Sequence, residues 1–266
     1  MAETWLLDLG SSRLKWQVRS DAGEILACGG SAWPGGTPRP ELPSRAPDRI
    51  WMAHVGPGER AQALLAWVRQ RFAAVPVQYV RPEPEGPAGL RLDYDHRQLG
   101  ADRFCALLGV LARSGKPAVV IDAGTAITVD VLGAGGRHLG GYIAPGLRPG
   151  WAAVMRLLPG ALREQIGAAL PGPAQQHASA HVGAPGHGTA AALEQGWRLG
   201  LIGAVERLGA AAETAAGAGA QWWLTGGDAP WLAESLGRPV RVEPDLVLDG
   251  LWLYACRSGA GTGEPR

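Results

Sequence analysis

Two short segments of this chain, whose aspartates stand 114 residues apart, share one pattern of residue types. They are residues 6–15 (LLDLGSSRLK) and residues 120–130 (VIDAGTAITVD). In each, an apolar run ends in Asp-x-Gly, hydroxyl residues follow, and a second run of strand-forming residues begins at once, which predicts a tight β-hairpin. Because the pattern occurs twice, we predict a duplicated α/β fold.

Both predicted turns carry groups that suit phosphate and metal binding. Glycine gives the backbone freedom that a tight turn needs, and exposed amides and hydroxyls can donate hydrogen bonds to phosphate oxygens. The carboxylates of Asp8 and Asp122 can hold Mg²⁺ directly or through water. A single Asp-x-Gly hairpin is more often only a turn. Two copies predict a nucleotide bound between the two halves of the chain.

Length and composition fit two domains and a small ligand. The chain has 266 residues, 46% of them apolar, with 25 basic and 24 acidic residues and a net charge of +1. We expect an amino-terminal domain over 1–115 and a carboxy-terminal domain over 116–266. Without a run of like charges, neither nucleic acid nor a membrane surface is an expected partner. The three dispersed cysteines predict reduced thiols in a cytoplasmic protein. The pattern of apolar residues predicts neither a signal peptide nor a membrane span.

Hydrophobic periodicity predicts the same order of elements, β-β-β-(helix)-β-α-β-α, in both halves. Hairpins beside parallel crossovers indicate a mixed sheet in each half, covered by helices. The predicted strands are 5–9, 14–18, 24–28, 49–55, 75–80, 118–122, 127–132, 137–144, 222–225 and 240–242. The predicted helices are 59–72, one opening at 99–103, 151–158, a long one opened by Thr189, a short one ending at 236, and 245–257.

The ordered set of motifs resembles type III pantothenate kinases, within the superfamily of acetate and sugar kinases, Hsp70 and actin. The motifs are Asp8-x-Gly10, residues 100–103 (GADR), 122–126 (DAGTA), 140–146 (GGYIAPG), Thr189 and residues 225–227 (TGG). The resemblance implies two duplicated actin-like (ribonuclease H-like) domains, each a mixed five-stranded sheet flanked by helices, with an ATP cleft between them. It also implies ATP-dependent phosphorylation of pantothenate to 4′-phosphopantothenate, the first step of coenzyme A biosynthesis.

Phosphorylating an alcohol requires a carboxylate that accepts the hydroxyl proton, and Asp102 is the candidate base. The alternative is an acid placed in the first turn of a helix, where the helix dipole favours it. By resemblance, Arg103 contacts pantothenate; the alternative is an ion pair with a nearby acid. Thr189 can also act as a helix N-cap. The full set of predicted pantothenate contacts is Tyr94, Gly100, Ala101, Asp102, Arg103 and Thr189.

Nucleotide contacts are expected from both hairpins and from a glycine pair. The predicted ATP-binding residues are Asp8, Leu9, Gly10, Ser11, Ser12, Arg13, Leu14, Lys15, Thr125, Gly226 and Gly227. Asp8 is expected to hold Mg²⁺ directly or through water, and the resemblance implies a monovalent cation, K⁺ or NH₄⁺, at Asp122. The family usually has Asn-Thr where this chain has Ser11 and Ser12, which keeps the hydroxyls but removes an amide.

A glycine strip at Gly196, Gly200 and Gly203 permits close approach of another backbone. Internal packing explains it equally well, but the resemblance implies a homodimer. His177, His181 and His187 lie in a Pro/Gly-rich stretch without other ligands, so zinc is not expected. Two rival functions stay open: a non-catalytic accessory regulator of the same family, and a superfamily kinase or hydrolase acting on a different substrate.

Overall fold

The fold is taken from a computed structural model that describes residues 2–32, 42–55, 58–169 and 183–259. These residues form two compact units. Unit 1 consists of Met1–Lys116, Leu132–Gly140 and Asp245–Arg266, and unit 2 of Pro117–Val131 and Gly141–Pro244, each over its described residues. The predicted domains 1–115 and 116–266 stay a prediction, and the compact units differ from them because the last helix packs in unit 1.

Unit 1 contains a five-stranded mixed sheet in the order β3-β2-β1-β4-β5. β1 pairs antiparallel with β2 and parallel with β4. The central strand β1 is buried along most of its length, which explains why its sequence is a continuous apolar run rather than an alternating one. The strands are β1 (Glu3–Leu9), β2 (Arg13–Ser20), β3 (Ile25–Ala32), β4 (Arg49–His54) and β5 (Val77–Tyr79).

Three helices belong to unit 1, over its described residues: α1 (Gly58–Arg71), α2 (Ala101–Arg113) and α7 (Leu246–Gly259). The backbones of α2 and α7 lie against each other at two glycines. A Cβ atom on Gly250 would stand 2.6 Å from the carbonyl carbon of Cys105, and one on Gly109 would stand 3.1 Å from that of Leu246. Tyr254 of α7 packs edge-on against Trp51 of β4 and Phe104 of α2. This close crossing fixes the position of α2.

The second sheet repeats the strand order of the first and adds one strand. Its order is β11-β10-β7-β8-β9-β6, so β7 takes the central place that β1 has in unit 1. The prediction of five strands in each sheet is therefore wrong for the second, because the two-residue β6 pairs with the first residues of β9. The strands are β6 (Arg91–Leu92), β7 (Ala118–Ala123), β8 (Ala126–Leu132), β9 (Arg137–Pro145), β10 (Gln221–Thr225) and β11 (Arg241–Val242).

Unit 2 carries the helices α3 (Leu147–Leu157), α4 (Gly160–Ala169), α5 (Thr189–Ala216) and α6 (Ala229–Ser235). The predicted helix 151–158 begins one turn earlier, after the N-cap Gly146, and α4 was not predicted. α5 begins at Thr189, as predicted, but the alternative role of Thr189 as its N-cap is wrong. Gly188 is the N-cap, and its carbonyl accepts the first helical hydrogen bond, from Ala192 N–H at 2.8 Å.

Each unit has its own apolar core. In unit 1 the core is built on β1, β2, β4 and α1 and includes Trp5 and Met52; in unit 2 it is built on β7, β8, β10, α5 and α6 and includes Trp222 and Trp231. Over the described residues, no helix is both long enough and apolar enough to span a bilayer. Parts of the predicted loops 31–47 and 171–188, with His177 and His181, lie outside the described residues.

Candidate active site

The first Asp-x-Gly turn joins β1 to β2 through the three residues 10–12. Gly10 N–H donates a hydrogen bond to Arg13 O at 3.0 Å, closing the turn. Asp8 stands opposite Lys15 in the antiparallel register, so a carboxylate and an ammonium are cross-strand neighbours. Ser11, Ser12 and Arg13 are exposed. The turn thus presents hydroxyls and a guanidinium to solvent beside a partly buried carboxylate.

Val55 connects this turn to the start of α2. Its N–H donates to Leu9 O at 3.1 Å, and its carbonyl accepts a hydrogen bond from the Ser11 hydroxyl at 3.4 Å. One of its methyl carbons lies 3.7 Å from where a Cβ atom on Gly100 would stand. The first turn and the GADR motif, which are about ninety residues apart in sequence, therefore meet at one residue of unit 1.

Asp102 lies in the first turn of α2, and its carboxylate folds back over the helix start. Oδ1 accepts a hydrogen bond from Arg103 N–H at 2.7 Å and lies 2.5 Å from where a Cβ atom on Gly100 would stand. A larger residue at Gly100 would displace the carboxylate. Glycine at this position therefore gives Asp102 the room that it occupies.

Cys105 is a buried thiol of α2, one helical turn after the predicted base Asp102. Burial raises the pKa of the Cys105 thiol well above its usual value, and the negative charges of Asp8 and Asp102 raise it further. Val55, which contacts both Leu9 and the Cβ position of Gly100, brings the segments that carry Asp8 and Asp102 together. Unit 1 thus brings together the predicted Mg²⁺ ligand and the predicted base.

The predicted alcohol-binding side chains Tyr94 and Arg103 also lie together in unit 1. The guanidinium carbon of Arg103 is 5.2 Å from the centroid of the Tyr94 ring, within the range of a cation–π contact. Arg103 is only 6% exposed, so this contact is buried; the alternative role of Arg103 in an ion pair with a nearby acid stays open. The buried His138 packs against the Tyr94 ring, with 5.7 Å between the two ring centroids.

The second Asp-x-Gly turn is one residue shorter than the first, since only Gly124 and Thr125 join β7 to β8. Gly124 N–H donates to Ala126 O at 3.1 Å, and Thr125 O accepts a hydrogen bond from Gly146 N–H at 3.0 Å. The Thr125 residue is exposed. The turn is therefore fixed by its backbone, and its hydroxyl-bearing residue faces solvent.

The glycine pair after β10 lies against the second aspartate. Gly226 has φ +94°, and a Cβ atom there would overlap both Asp122 Oδ1 and the carbonyl group of Ala123. Asp228 N–H donates to Ala123 O at 2.9 Å. A carboxylate and a backbone carbonyl in one place form an oxygen-rich donor set, which suits a hard cation such as K⁺. Gly227 is exposed, with no atom of the described residues within 4 Å of its Cβ position.

The remaining predicted residues divide between the two units. Lys15, Leu14 and Ala101 accompany the first turn and α2 in unit 1, whereas Thr189 lies exposed at the first residue of α5 in unit 2. Sequence reasoning missed Val55, Cys105 and His138. A buried cysteine and a valine after a strand carry no signal of a site, and His138 stands out only by directly preceding the segment 139–146 that contains the glycine pair of β9.

Comparisons with known proteins show the family of the chain. The family model described as type III pantothenate kinase matches residues 6–211. The type III pantothenate kinase of Halorhodospira halophila is 36% identical, covering 92% of this chain and 95% of that protein. The enzyme of the same name from Alkalilimnicola ehrlichii is also 36% identical, covering 96% and 99%. That of Pseudomonas aeruginosa PAO1 is 34% identical, covering 94% and 97%.

Solved structures show the fold. The (R)-2-hydroxyglutaryl-CoA dehydratase component A of Acidaminococcus fermentans superposes with a TM-score of 0.54 at 15% identity, covering 98% of this chain and all of that one. The ADPNP-bound activator of 2-hydroxyisocaproyl-CoA dehydratase from Clostridium difficile gives 0.53 at 13% identity, covering 99% and 100%. A Campylobacter jejuni protein assigned to the Baf family of transcriptional activators gives 0.58 at 18% identity, covering 97% and 100%.

The fold is thus α/β and actin-like, with two mixed sheets of five and six strands flanked by helices. The family match extends over more than three quarters of the chain, and the two relatives that are 36% identical cover 92% and 96% of it. By these matches, this chain belongs to the type III pantothenate kinase family.

Proposed function

We propose that this chain transfers the γ-phosphoryl group of ATP to the terminal hydroxyl of pantothenate, giving 4′-phosphopantothenate in the first step of coenzyme A biosynthesis. The observation that carries the proposal is the identity of 34–36% to type III pantothenate kinases across more than nine tenths of the chain. The meeting of the first turn and the GADR motif at Val55 supports it, since a kinase needs a nucleotide-side and an acceptor-side carboxylate.

In the proposed mechanism, Asp102 accepts the proton of the attacking hydroxyl. The hydroxyl oxygen forms a bond to the γ-phosphorus while the bond from that phosphorus to the bridging oxygen of ADP breaks. The hydrogen bond from Arg103 N–H to Asp102 Oδ1 fixes the carboxylate in one orientation, which reduces the entropy lost on reaching the transition state. Arg103, Tyr94, Gly100, Ala101 and Thr189 are the proposed contacts that place the acceptor.

The nucleotide is proposed to bind through the residues that follow each Asp-x-Gly aspartate. Amides and hydroxyls of the first turn, Lys15, Thr125 and the Gly226-Gly227 pair would contact it. Asp8 would hold Mg²⁺, and Asp122 with the Ala123 carbonyl would hold K⁺ or NH₄⁺; these cations neutralise phosphate charge when bound. Asp8 is partly buried beside the exposed hydroxyls of Ser11 and Ser12, so the donor set consists of oxygen atoms, as Mg²⁺ requires.

A homodimer is also proposed, from exposed apolar residues and a glycine strip of unit 2. Ile143 of β9 is 64% exposed and Leu199 of α5 is 46% exposed. Beside Leu199, no atom of the described residues lies within 4 Å of the Cβ positions of Gly196, Gly200 and Gly203. These glycines lie on one face of α5 and leave room for a second backbone. Sedimentation of the native chain should give twice the mass of one chain, and a monomer would contradict the proposal.

The experiment that tests the proposed activity measures ADP release with ATP and Mg²⁺, with and without pantothenate and with and without K⁺. We expect release only when pantothenate is present and a higher rate with K⁺ than with Na⁺. ATP turnover of equal rate without any acceptor would instead indicate a hydrolase, and the absence of phosphorylated pantothenate under all conditions would refute the proposal. The predicted cytoplasmic location stays a prediction.

A further inference from the structure

The segment that carries Tyr94 is held by the first residues of β9 in unit 1. β6 pairs in parallel with β9, with Leu92 beside His138. The N–H of Asp93 then donates to the carbonyl of His138 at 2.9 Å. Arg137 binds the Asp93 carboxylate through two nitrogens, at 3.0 Å and 2.8 Å. Two adjacent residues of β9 therefore fix the backbone immediately before Tyr94 by both main-chain and side-chain bonds.

His138 also contacts the side chain of Tyr94. The imidazole is fully buried, and its centroid lies 5.7 Å from that of the Tyr94 ring at an interplanar angle of 40°. The same Tyr94 ring lies 5.2 Å from the guanidinium carbon of Arg103. Imidazole, phenol and guanidinium thus form one chain of contacts, which we call the Tyr94 stack and define as His138, Tyr94 and Arg103.

The sixth strand of the second sheet positions this stack. The order β9-β8-β7-β10-β11 in the second sheet matches the order β3-β2-β1-β4-β5 in the first. β6 lies beside β9 and has no counterpart in the first sheet. β6 is only two residues long and buries little apolar surface, so it contributes little to a core. Its pairing with β9 places Tyr94 against His138. This placement, rather than a contribution to the core, accounts for the short additional strand.

We infer that His138 is a positioning residue for the acceptor site, because it holds the Tyr94 ring against Arg103 in the orientation that binds the acceptor. The inference rests on the proposed function. A tyrosine and an arginine lose rotamer freedom when they contact a ligand, and a buried ring that restricts them beforehand reduces that loss. In this role His138 acts on binding of the acceptor, before the chemical step.

The test is the kinetics of His138→Ala and His138→Phe beside the native enzyme, with pantothenate and ATP varied separately. For His138→Ala we expect the KM for pantothenate to rise about fivefold to tenfold, the size expected for losing one aromatic contact. The KM for ATP and kcat should change by less than about twofold. His138→Phe keeps a ring of similar size against Tyr94, so it should return the KM for pantothenate to within about threefold of the native value.

Arg137→Ala tests how far the ion pair with Asp93 fixes the segment that carries Tyr94. The Arg137 side chain is 62% exposed, and its loss leaves the buried imidazole of His138 in place. The substitution should raise the KM for pantothenate about twofold to threefold and leave the KM for ATP unchanged. The matched control is Arg91→Ala. Arg91 is exposed and pairs with Arg137 in the strand register, but its side chain is not part of the Tyr94 stack.

The outcomes separate this inference from the proposed function. A native enzyme that phosphorylates no pantothenate overturns the proposed function. A native enzyme that does so, with His138→Ala and Arg137→Ala keeping the native KM for pantothenate, overturns the role of His138 alone. The role is also overturned if His138→Ala lowers only the midpoint of thermal unfolding, or if the KM values for ATP and pantothenate rise equally. If His138→Ala does not fold, the KM of Arg137→Ala for pantothenate decides: a rise with an unchanged KM for ATP supports the role, and a native value overturns it.

Discussion

Replacing Gly226 by alanine tests the local geometry at the proposed cation site. Gly226 has φ +94° and follows β10 directly. A Cβ atom there would stand 2.6 Å from the carbonyl carbon of Ala123 and would overlap Asp122 Oδ1. A side chain could displace the carboxylate, but the Ala123 carbonyl is backbone that accepts a hydrogen bond from Asp228 N–H. The backbone after β10 must therefore move.

The cost follows from two effects. A non-glycine residue at a positive φ costs about 1–3 kcal/mol, and forcing an extra carbon against packed backbone costs about 1–3 kcal/mol more. We expect the free energy of unfolding of Gly226→Ala to fall by about 2–6 kcal/mol. For a chain of this size this lowers the midpoint of thermal unfolding by at least ~4 °C. Because Asp122 is displaced as well, activation by K⁺ should weaken in the same variant.

Gly227→Ala is the matched control for stability. Gly227 lies next in sequence, its φ is not in the left-handed region, and no atom of the described residues stands within 4 Å of its Cβ position. Its midpoint of thermal unfolding should change by less than about 2 °C. Scanning calorimetry of the two variants and the native chain measures this. Equal midpoints for Gly226→Ala and Gly227→Ala would refute the geometry on which the proposed cation site depends.

Two further predictions concern α7. Burial and the negative charge of Glu83 raise the pKa of Tyr254 to about 12. The folded state therefore favours the neutral phenol, so this contribution to stability is complete below pH 10 and is lost as the pH rises through about 12. Tyr254→Phe should abolish that loss when the free energy of unfolding is measured between these two pH values. An unaltered pH dependence in Tyr254→Phe would contradict the prediction. Gly250→Ala places a carbon against the backbone of Cys105 and should lower the free energy of unfolding by about 1–3 kcal/mol, whereas Gly115→Ala, which meets no atom of the described residues within 4 Å, should be neutral by calorimetry.

The elements that the sequence predicted well are those with strong local patterns. The hairpins at Asp8 and Asp122 and the buried face of α2 depend on strand alternation, turn residues and helical spacing. β6 was missed because two residues carry no periodic signal. The start of α3 was misplaced because Pro149 and Gly150 indicate a turn, whereas a proline is tolerated in the first turn of a helix.

For the candidate site, the sequence indicated residue types and their order but not their neighbours. The junction that Val55 makes between the segments of Asp8 and Asp102 depends on the pairing of β1 with β4 and on the crossing of α2 with α7. These are tertiary contacts between residues far apart in sequence, which local patterns do not specify. The Tyr94 stack depends in the same way on the pairing of β6 with β9.

The most direct test of the proposed mechanism is single-turnover phosphorylation of pantothenate by Asp102→Asn, with ATP binding measured by calorimetry on the same preparation. An asparagine keeps an oxygen that can accept the Arg103 N–H bond, so the start of α2 and the affinity for ATP should be preserved. General-base catalysis contributes roughly 10²–10⁴-fold to a rate, and we expect phosphoryl transfer to slow by about that factor. A variant that binds ATP normally and transfers phosphate within about tenfold of the native rate would contradict the assignment of Asp102 as the base.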